Sequence, residues 1–224
     1  MPRDPLYWST QFKDIGALWF HNGHKDQPHA IVTSEKHSGG YFNGEVVFEN
    51  AFLADQACSD LLLRLREEGL VCSGIDRVVG TAMGSITMAH EVAYHVATKN
   101  MRHCMTSYTE KRGSGPNKVL CFNRMPPHQN DRVLQVDDAL STGDTIEKGA
   151  QAIMSYGARL FPFVGVLVNR SGLRELNGRK IVSLIDHPIE MFPATDCPLC
   201  GMGSKAVRPK GRENWSQFVG DPHR

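Results

Sequence analysis

The chain of 224 residues has no apolar run approaching the roughly 20 residues needed to cross a bilayer. No apolar segment long enough for a signal peptide follows Met1-Pro2-Arg3-Asp4. Both absences lead us to expect a cytoplasmic protein with no membrane partner. Neither sign of charge is in excess: 25 Lys and Arg face 24 Asp and Glu, for a formal net charge of +1. That balance argues against a nucleic-acid binder and against an acidic solvating tail. Cysteine is scarce, and six in this length exclude a disulfide scaffold. Cys58, Cys72, Cys104 and Cys121 stand singly among apolar or mixed neighbours, as reduced packing residues do. There is no internal repeat, no Gly-x-Gly-x-x-Gly dinucleotide fingerprint, and no Gly-Lys-Thr or Gly-Lys-Ser of a Walker loop. What remains, 41% hydrophobic and 22% charged, is the mix of a globular protein of one large domain, with room for a small appendage.

Hydrophobic spacing gives the organisation. Leu6, Tyr7, Trp8, Phe12, Ile15, Leu18 and Trp19 recur at intervals of three and four, which predicts a helix stopped by Asn22-Gly23. Ala30–Thr33 and Tyr41–Phe48 read as short extended segments around the turn Ser38-Gly39-Gly40. Leu53, Ala57, Leu61, Leu62 and Leu65 mark a helix closed by Gly69. Strands are then expected at 77–81, 103–107, 119–122, 133–136, 161–168 and 181–185, with helices over 86–97 and 145–156. Apolar strands alternating with helices predict an α/β fold, a mainly parallel sheet flanked by helices. Beyond Pro193 the chain is rich in Gly, Pro, Lys and Arg, and irregular structure is expected.

The densest chemical signal is Arg132-Val133-Leu134-Gln135-Val136-Asp137-Asp138-Ala139-Leu140-Ser141-Thr142-Gly143-Asp144-Thr145. An apolar strand runs into two carboxylates, a loop of hydroxyl residues and glycine, and a helix start. Ligands of open α/β sheets bind at such strand ends. Loop amides and a helix N-terminus favour phosphate, and Ser141, Thr142 and Thr145 add hydroxyl donors. Asp137 and Asp138 would repel phosphate but accept hydrogen bonds from a diol. Phosphate and diol together suggest a ribose 5-phosphate unit; the bland alternative is a solvated acidic pair on a strand turn.

This segment resembles the 5-phosphoribosyl 1-pyrophosphate (PRPP) signature of the type I phosphoribosyltransferases. The resemblance implies that Asp137 and Asp138 contact the ribose hydroxyls while Ala139, Leu140, Ser141, Thr142, Gly143, Asp144 and Thr145 hold the 5-phosphate. Val78-Val79-Gly80-Thr81-Ala82-Met83-Gly84-Ser85 is similar to the family's pyrophosphate loop, a role that falls on Thr81, Ala82, Met83, Gly84 and Ser85. Three segments resemble the orotate subfamily. Lys36-His37-Ser38-Gly39-Gly40-Tyr41-Phe42 is similar to its Lys-Ser-Gly segment and aromatic pair, with His37 inserted. Tyr108–Gly115, carrying Lys111 and Arg112, sits where it has a mobile basic catalytic loop. Val168-Asn169-Arg170 resembles the strand end whose arginine binds the orotate carboxylate. The resemblance spans residues 30–185 and implies an N-terminal helix and hood region at 1–49, a phosphoribosyltransferase core at 50–192 and a basic Cys-x-x-Cys tail at 193–224.

The implied reaction displaces pyrophosphate from C1 of PRPP by a ring nitrogen of a base, most simply orotate. Mg²⁺ is implied, reached by Asp137 or Asp138 directly or through water. Lys36, Tyr41, Phe42 and Arg170 would contact the base or pyrophosphate, with Lys111 and Arg112 closing over the pyrophosphate. A homodimer is implied, because the family's mobile loop acts across a subunit interface. A different base, or a non-catalytic PRPP-binding regulator, keeps the same sugar-phosphate site. In the tail, Cys197-Pro198-Leu199-Cys200-Gly201 is half of a zinc site, with His187 the nearest third ligand; a redox pair and a plain structural turn are the other readings. The tail's Trp215 and Phe218 are too sparse for a nucleic-acid stacking platform.

Overall fold

The computed structural model describes residues 1–32, 34–113 and 119–220. Its centre is a six-stranded sheet in which Arg77–Gly80 (β5), Met105–Tyr108 (β6), Arg132–Leu140 (β9), Arg159–Asn169 (β10) and Arg179–Asp186 (β12) are parallel, and Glu175–Leu176 (β11) is an antiparallel edge. The order is β11-β12-β10-β9-β5-β6. Ala51–Glu67 (α3) and Ile86–Asn100 (α4) cover one face, and Asp144–Met154 (α5) the other. Strand alternation assigns the faces. Val78, Leu134, Val136, Leu167 and Leu184 pack with Leu61, Leu65, Met88 and Val92, while Val164, Val166 and Ile181 pack with Ile146. Pro162, which cannot donate to a ladder, falls where the β9–β10 register shifts between Leu160 and Val164. No helix among the described residues is long and apolar enough to cross a membrane.

The expected helices and parallel strands of the core are present, with differences at their ends. The helix at the N-terminus covers only Pro5–Asp14 (α1), because Gly16 at φ 71° turns the chain and Leu18–Phe20 becomes a strand (β1). Trp8 and Phe12 of α1 are buried in the main core. Tyr41–Phe48 is not one extended segment. Gly40–Phe42 (β4) pairs with β1, then Asn43 accepts from the Glu45 amide and starts a helix at Gly44–Glu49 (α2). His29–Ile31 (β2) and His37–Ser38 (β3) form a hairpin, and Thr33 lies outside the described residues. Glu110–Arg112 (β7) and Val119–Cys121 (β8) form a separate two-stranded hairpin, so the segment at 119–122 does not join the main sheet.

The tail is ordered where irregular structure was expected. Met191–Phe192 (β13) adds to β3, and Ala206–Val207 (β14) adds to β2, building a sheet in the order β13-β3-β2-β14 over the N-terminal segments. Between them, Pro198–Gly201 forms one helical turn (α6). Arg212–Val219 (α7) then buries Trp215 and Phe218 against Trp19, Ala30 and Val207. The polar, Gly-rich composition of the tail conceals three anchors, Val207 and, one helical turn apart, Trp215 and Phe218.

Candidate active site

The chain leaves β5 toward α4 on one face of the sheet and leaves β9 toward α5 on the other. The carboxyl ends of these adjacent strands therefore frame a crevice at the topological switch point, where ligands of such sheets bind. A cavity of about 440 Å³ occupies it. Of the residues singled out in the sequence, Tyr41, Phe42, Thr81, Ala82, Met83, Gly84, Lys111, Asp137, Asp138, Ala139, Ser141, Thr142, Asp144, Thr145 and Arg170 line this one cavity.

The acidic pair does not follow the strand; it lies inside it. β9 runs on to Leu140, with Asp137 paired to Val166 and Ala139 to Val168. Neighbouring strand residues face opposite sides. Asp137 turns under the Thr81–Ser85 loop, where Ser85 Oγ donates to its carboxylate and the Asp138 amide donates at 3.1 Å. Burial first, then Asp138 beside it, push the Asp137 carboxyl well above the usual range. Asp138 accepts from the Ala139 amide at 2.9 Å, and its other oxygen lies against Gly44 and Gly84. Burial raises it too, against the pull of the Ala139 amide and the Arg170 charge.

The loop after β5 is strained. Ala82 sits at φ 66°, ψ −174°, a region almost reserved for glycine and costing about 1–3 kcal/mol. Its amide is held by Thr109 Oγ1 at 3.0 Å. Beneath lies a buried network that sequence reasoning did not single out. Gln135 Nε2 donates to Thr81 Oγ1 (2.9 Å) and to the Ile146 carbonyl (2.8 Å), while Arg179 Nη1 donates to Gln135 Oε1 (2.6 Å). It ties the loop after β5 to the start of α5. A polar residue at an otherwise apolar strand position was the available signal. Leu140, assigned to phosphate, instead packs in the core beside Ile146, and Ser85 is fully buried against Asp137.

Arg170 follows the end of β10 and lies over the Tyr41 ring, 5.4 Å from its centroid. Its Nε and Nη1 are buried without a hydrogen-bond partner among the described residues. Tyr41 in turn contacts Trp215, at 5.6 Å between ring centroids, whereas Phe42 is core, packed on Phe12 at 5.3 Å. Lys111 and Arg112 part company by strand alternation. Lys111 lines the cavity, while Arg112 Nη2 donates to Asn123 Oδ1 at 2.7 Å and does not line it. Ser114 and Gly115 of the basic loop lie outside the described residues. Lys36 is exposed on the β2–β3 turn and does not line the cavity. Lys148 and Lys210, not foreseen, do line it. With Lys111 and Arg170 they surround the carboxylates with four cationic side chains, a setting for an anionic ligand that also bears hydroxyls.

No family model matches the chain. It is 29% identical over 185 residues to an orotate phosphoribosyltransferase of Desulforamulus reducens, covering 83% of this chain and 89% of the relative. It is 28% identical over 203 residues to one of Caldicellulosiruptor bescii, covering 90% and 95%. The solved orotate phosphoribosyltransferase of Aeropyrum pernix superposes with a TM-score of 0.59 at 22% identity, over 80% of this chain and 92% of that one, and so shares the fold. Over most of its length the chain is thus similar, in sequence and in fold, to orotate phosphoribosyltransferases. Its cavity joins the ends of β5 and β9 to the N-terminal segment that carries Tyr41.

The tail cysteines do not line this cavity. Cys197 and Cys200 meet His29 and His37 rather than His187, and the four ligand atoms lie within 4.8 Å of one another. His187 instead packs edge-on to Phe20 at 4.9 Å. Burial, then neighbouring His37, push His29 down to about 4, so its ring is neutral.

Proposed function

We propose that the chain transfers the 5-phosphoribosyl group of PRPP to orotate, releasing pyrophosphate and forming orotidine 5′-monophosphate. The observation that carries the choice of base is Arg170. It is a partly buried side chain whose Nε and Nη1 are buried with no hydrogen-bond partner among the described residues, beside an aromatic ring and on the cavity wall. Unpaired buried donors are expensive, and a planar carboxylate satisfies a guanidinium bidentately. Tyr41 offers a face for the pyrimidine ring of the same ligand.

In this reading the orotate ring nitrogen attacks C1 of the ribose as the C1–O bond to pyrophosphate breaks; the electron pair leaves with pyrophosphate, and the proton of the ring nitrogen passes to solvent. The chain positions rather than reacts. Asp138, aimed into the cavity, accepts from the ribose hydroxyls. Asp137, held by Ser85, fixes the adjoining loop. Ser141, Thr142 and Thr145 with the first amides of α5 receive the 5-phosphate. The Thr81–Gly84 amides and Lys111 receive the leaving pyrophosphate, stabilising charge as it develops. The oxygen donors of Asp137 and Asp138 fit Mg²⁺, and Asp138, the less tied of the two, would hold it. Bound there, it would neutralise charge on the departing pyrophosphate. A homodimer acting in the cytoplasm completes the proposal.

The test is a screen of bases with PRPP and Mg²⁺, following pyrophosphate release. Orotate is expected to be used and uncarboxylated bases not. Use of a purine instead would overturn the base. PRPP binding with no release for any base would make the chain a PRPP-binding regulator.

A further inference from the structure

We propose that His29, His37, Cys197 and Cys200 form a four-coordinate Zn²⁺ site that fastens the C-terminal segment to the hood and so carries Pro209 and Lys210 into the wall of the cavity. The metal site itself does not rest on the phosphoribosyl reading.

Geometry argues for it first. Tetrahedral Zn²⁺, with bonds of about 2.05 Å to nitrogen and about 2.3 Å to sulfur, sets ligand edges of roughly 3.3 Å between nitrogens, 3.5 Å from nitrogen to sulfur and 3.8 Å between sulfurs. Here His29 Nε2 lies 3.0 Å from His37 Nδ1. Cys200 Sγ lies 3.4 Å and 3.3 Å from these two nitrogens, and Cys197 Sγ lies 3.7 Å from His29 Nε2.

The surrounding hydrogen bonds argue for it independently. Ser204 Oγ donates its one hydrogen to the Gln27 carbonyl at 2.7 Å. At 2.8 Å from His29 Nδ1, that oxygen must therefore accept, which puts the ring proton on Nδ1 and turns the Nε2 lone pair toward the cysteines. This is the outer partner that ligating histidines commonly keep. Two thiols facing a second imidazole nitrogen make a soft, borderline donor set suited to zinc. A second group, Asp55, Glu91 and His95, lacks sulfur, and its His95 Nε2 is already 3.2 Å from both the Asp55 carbonyl and carboxylate oxygens.

The ligands come from β2, β3 and the turn around α6. Directly after that turn the His29 amide donates to the Lys205 carbonyl at 2.9 Å, and β14 pairs with β2. Two residues later, Pro209 and Lys210 line the cavity. A metal joining the hairpin to the turn would hold that run in register.

The full-length chain, purified in reductant without chelator, should contain one zinc per chain by elemental analysis. Exchange for Co²⁺ should give the visible spectrum of tetrahedral cobalt with thiolate charge-transfer bands. Cys200→Ser and His37→Gln should lose the metal, while His187→Ala and His95→Ala keep it. Ser204→Ala leaves the ligands in place and should loosen the metal about 10- to 100-fold in chelator competition. Wild type stripped by chelator avoids any folding failure of the variants, and its His29 amide should exchange faster with solvent. The proposal is overturned if the reduced chain takes up neither Zn²⁺ nor Co²⁺. Recovery of Cys197 and Cys200 as a disulfide, or metal that follows His95 or His187, would also overturn it. These readouts need no substrate, so their failure is distinct from failure of the phosphoribosyl assignment.

Discussion

Gly44 and Asp138 meet across the cavity: a Cβ built on Gly44 would stand 2.8 Å from Asp138 Cβ and still nearer its carboxylate. The first residue of α2 is thereby fitted to the acidic side chain of β9. Gly44→Ala should displace Asp138 and cost about 1–3 kcal/mol as overpacking. We expect lower stability in denaturant titration together with a higher KM for PRPP. Gly84→Ala, whose Cβ would lie at 3.7 Å from the same carboxylate, should do neither through contact with Asp138.

Arg170→Ala should raise the KM for orotate while PRPP binding, followed by calorimetry, hardly changes. Loss of a charge-assisted pair of about 1.5–3 kcal/mol corresponds to roughly 10- to 150-fold in kcat/KM. Arg170→Lys should recover little, since an ammonium lacks the planar fork. Wild-type turnover of orotate by the alanine variant would make Arg170 a bystander.

The acidic pair sets a pH dependence of stability. Asp137 and Asp138 are raised in the folded chain, so the fold binds more protons than the unfolded chain between the ordinary carboxylate value and their raised values. Their contribution is favourable below the ordinary value and is lost as pH rises through the raised ones. Asp137→Asn, neutral throughout, should therefore be more stable than wild type at neutral pH, with the gap closing on acidification. Asp76 works in the opposite sense, held down to about 2 chiefly by its hydrogen bonds with Arg132. Its stabilisation is present at neutral pH and is lost below about pH 4. Thermal melts of wild type, Asp137→Asn and Asp76→Asn across this range would separate the two.

Gln135→Leu should deprive three partners. Thr81 Oγ1, the Ile146 carbonyl and Arg179 Nη1 would each lose a buried hydrogen bond, at a cost of about 1–3 kcal/mol for each group left unsatisfied. If Gln135 positions the loop, kcat/KM falls further than global stability accounts for. An effect on melting alone would assign it a structural role.

The α/β core was legible because each signal was local. Gly69 and Gly157 follow their helices at positive φ, and strands such as β9 are apolar on both faces. The cavity was legible because its loops follow two strands that turn out to be neighbours. What escaped was non-local. Helical spacing ran on through Gly16 because period alone does not detect a turn. Tyr41 and Phe42 were separable only once Phe12 claimed one of them. His29 and His37 carry no spacing rule linking them to Cys197 and Cys200; only the strand additions of the tail bring them together.

The strand order of the hood has a consequence for biosynthesis. Its inner strands, β2 and β3, leave the ribosome before the α/β core, and its outer strands, β13 and β14, from residues 191–207, leave after it. A two-stranded hairpin alone is marginal in water. Nascent chains therefore complete the α/β core ahead of the hood. Truncated products that stop before β14 would carry a formed sheet beside an open mouth, a state in which Trp19 and Ala30, covered in the finished chain by Val207, Trp215 and Phe218, are offered to chaperones.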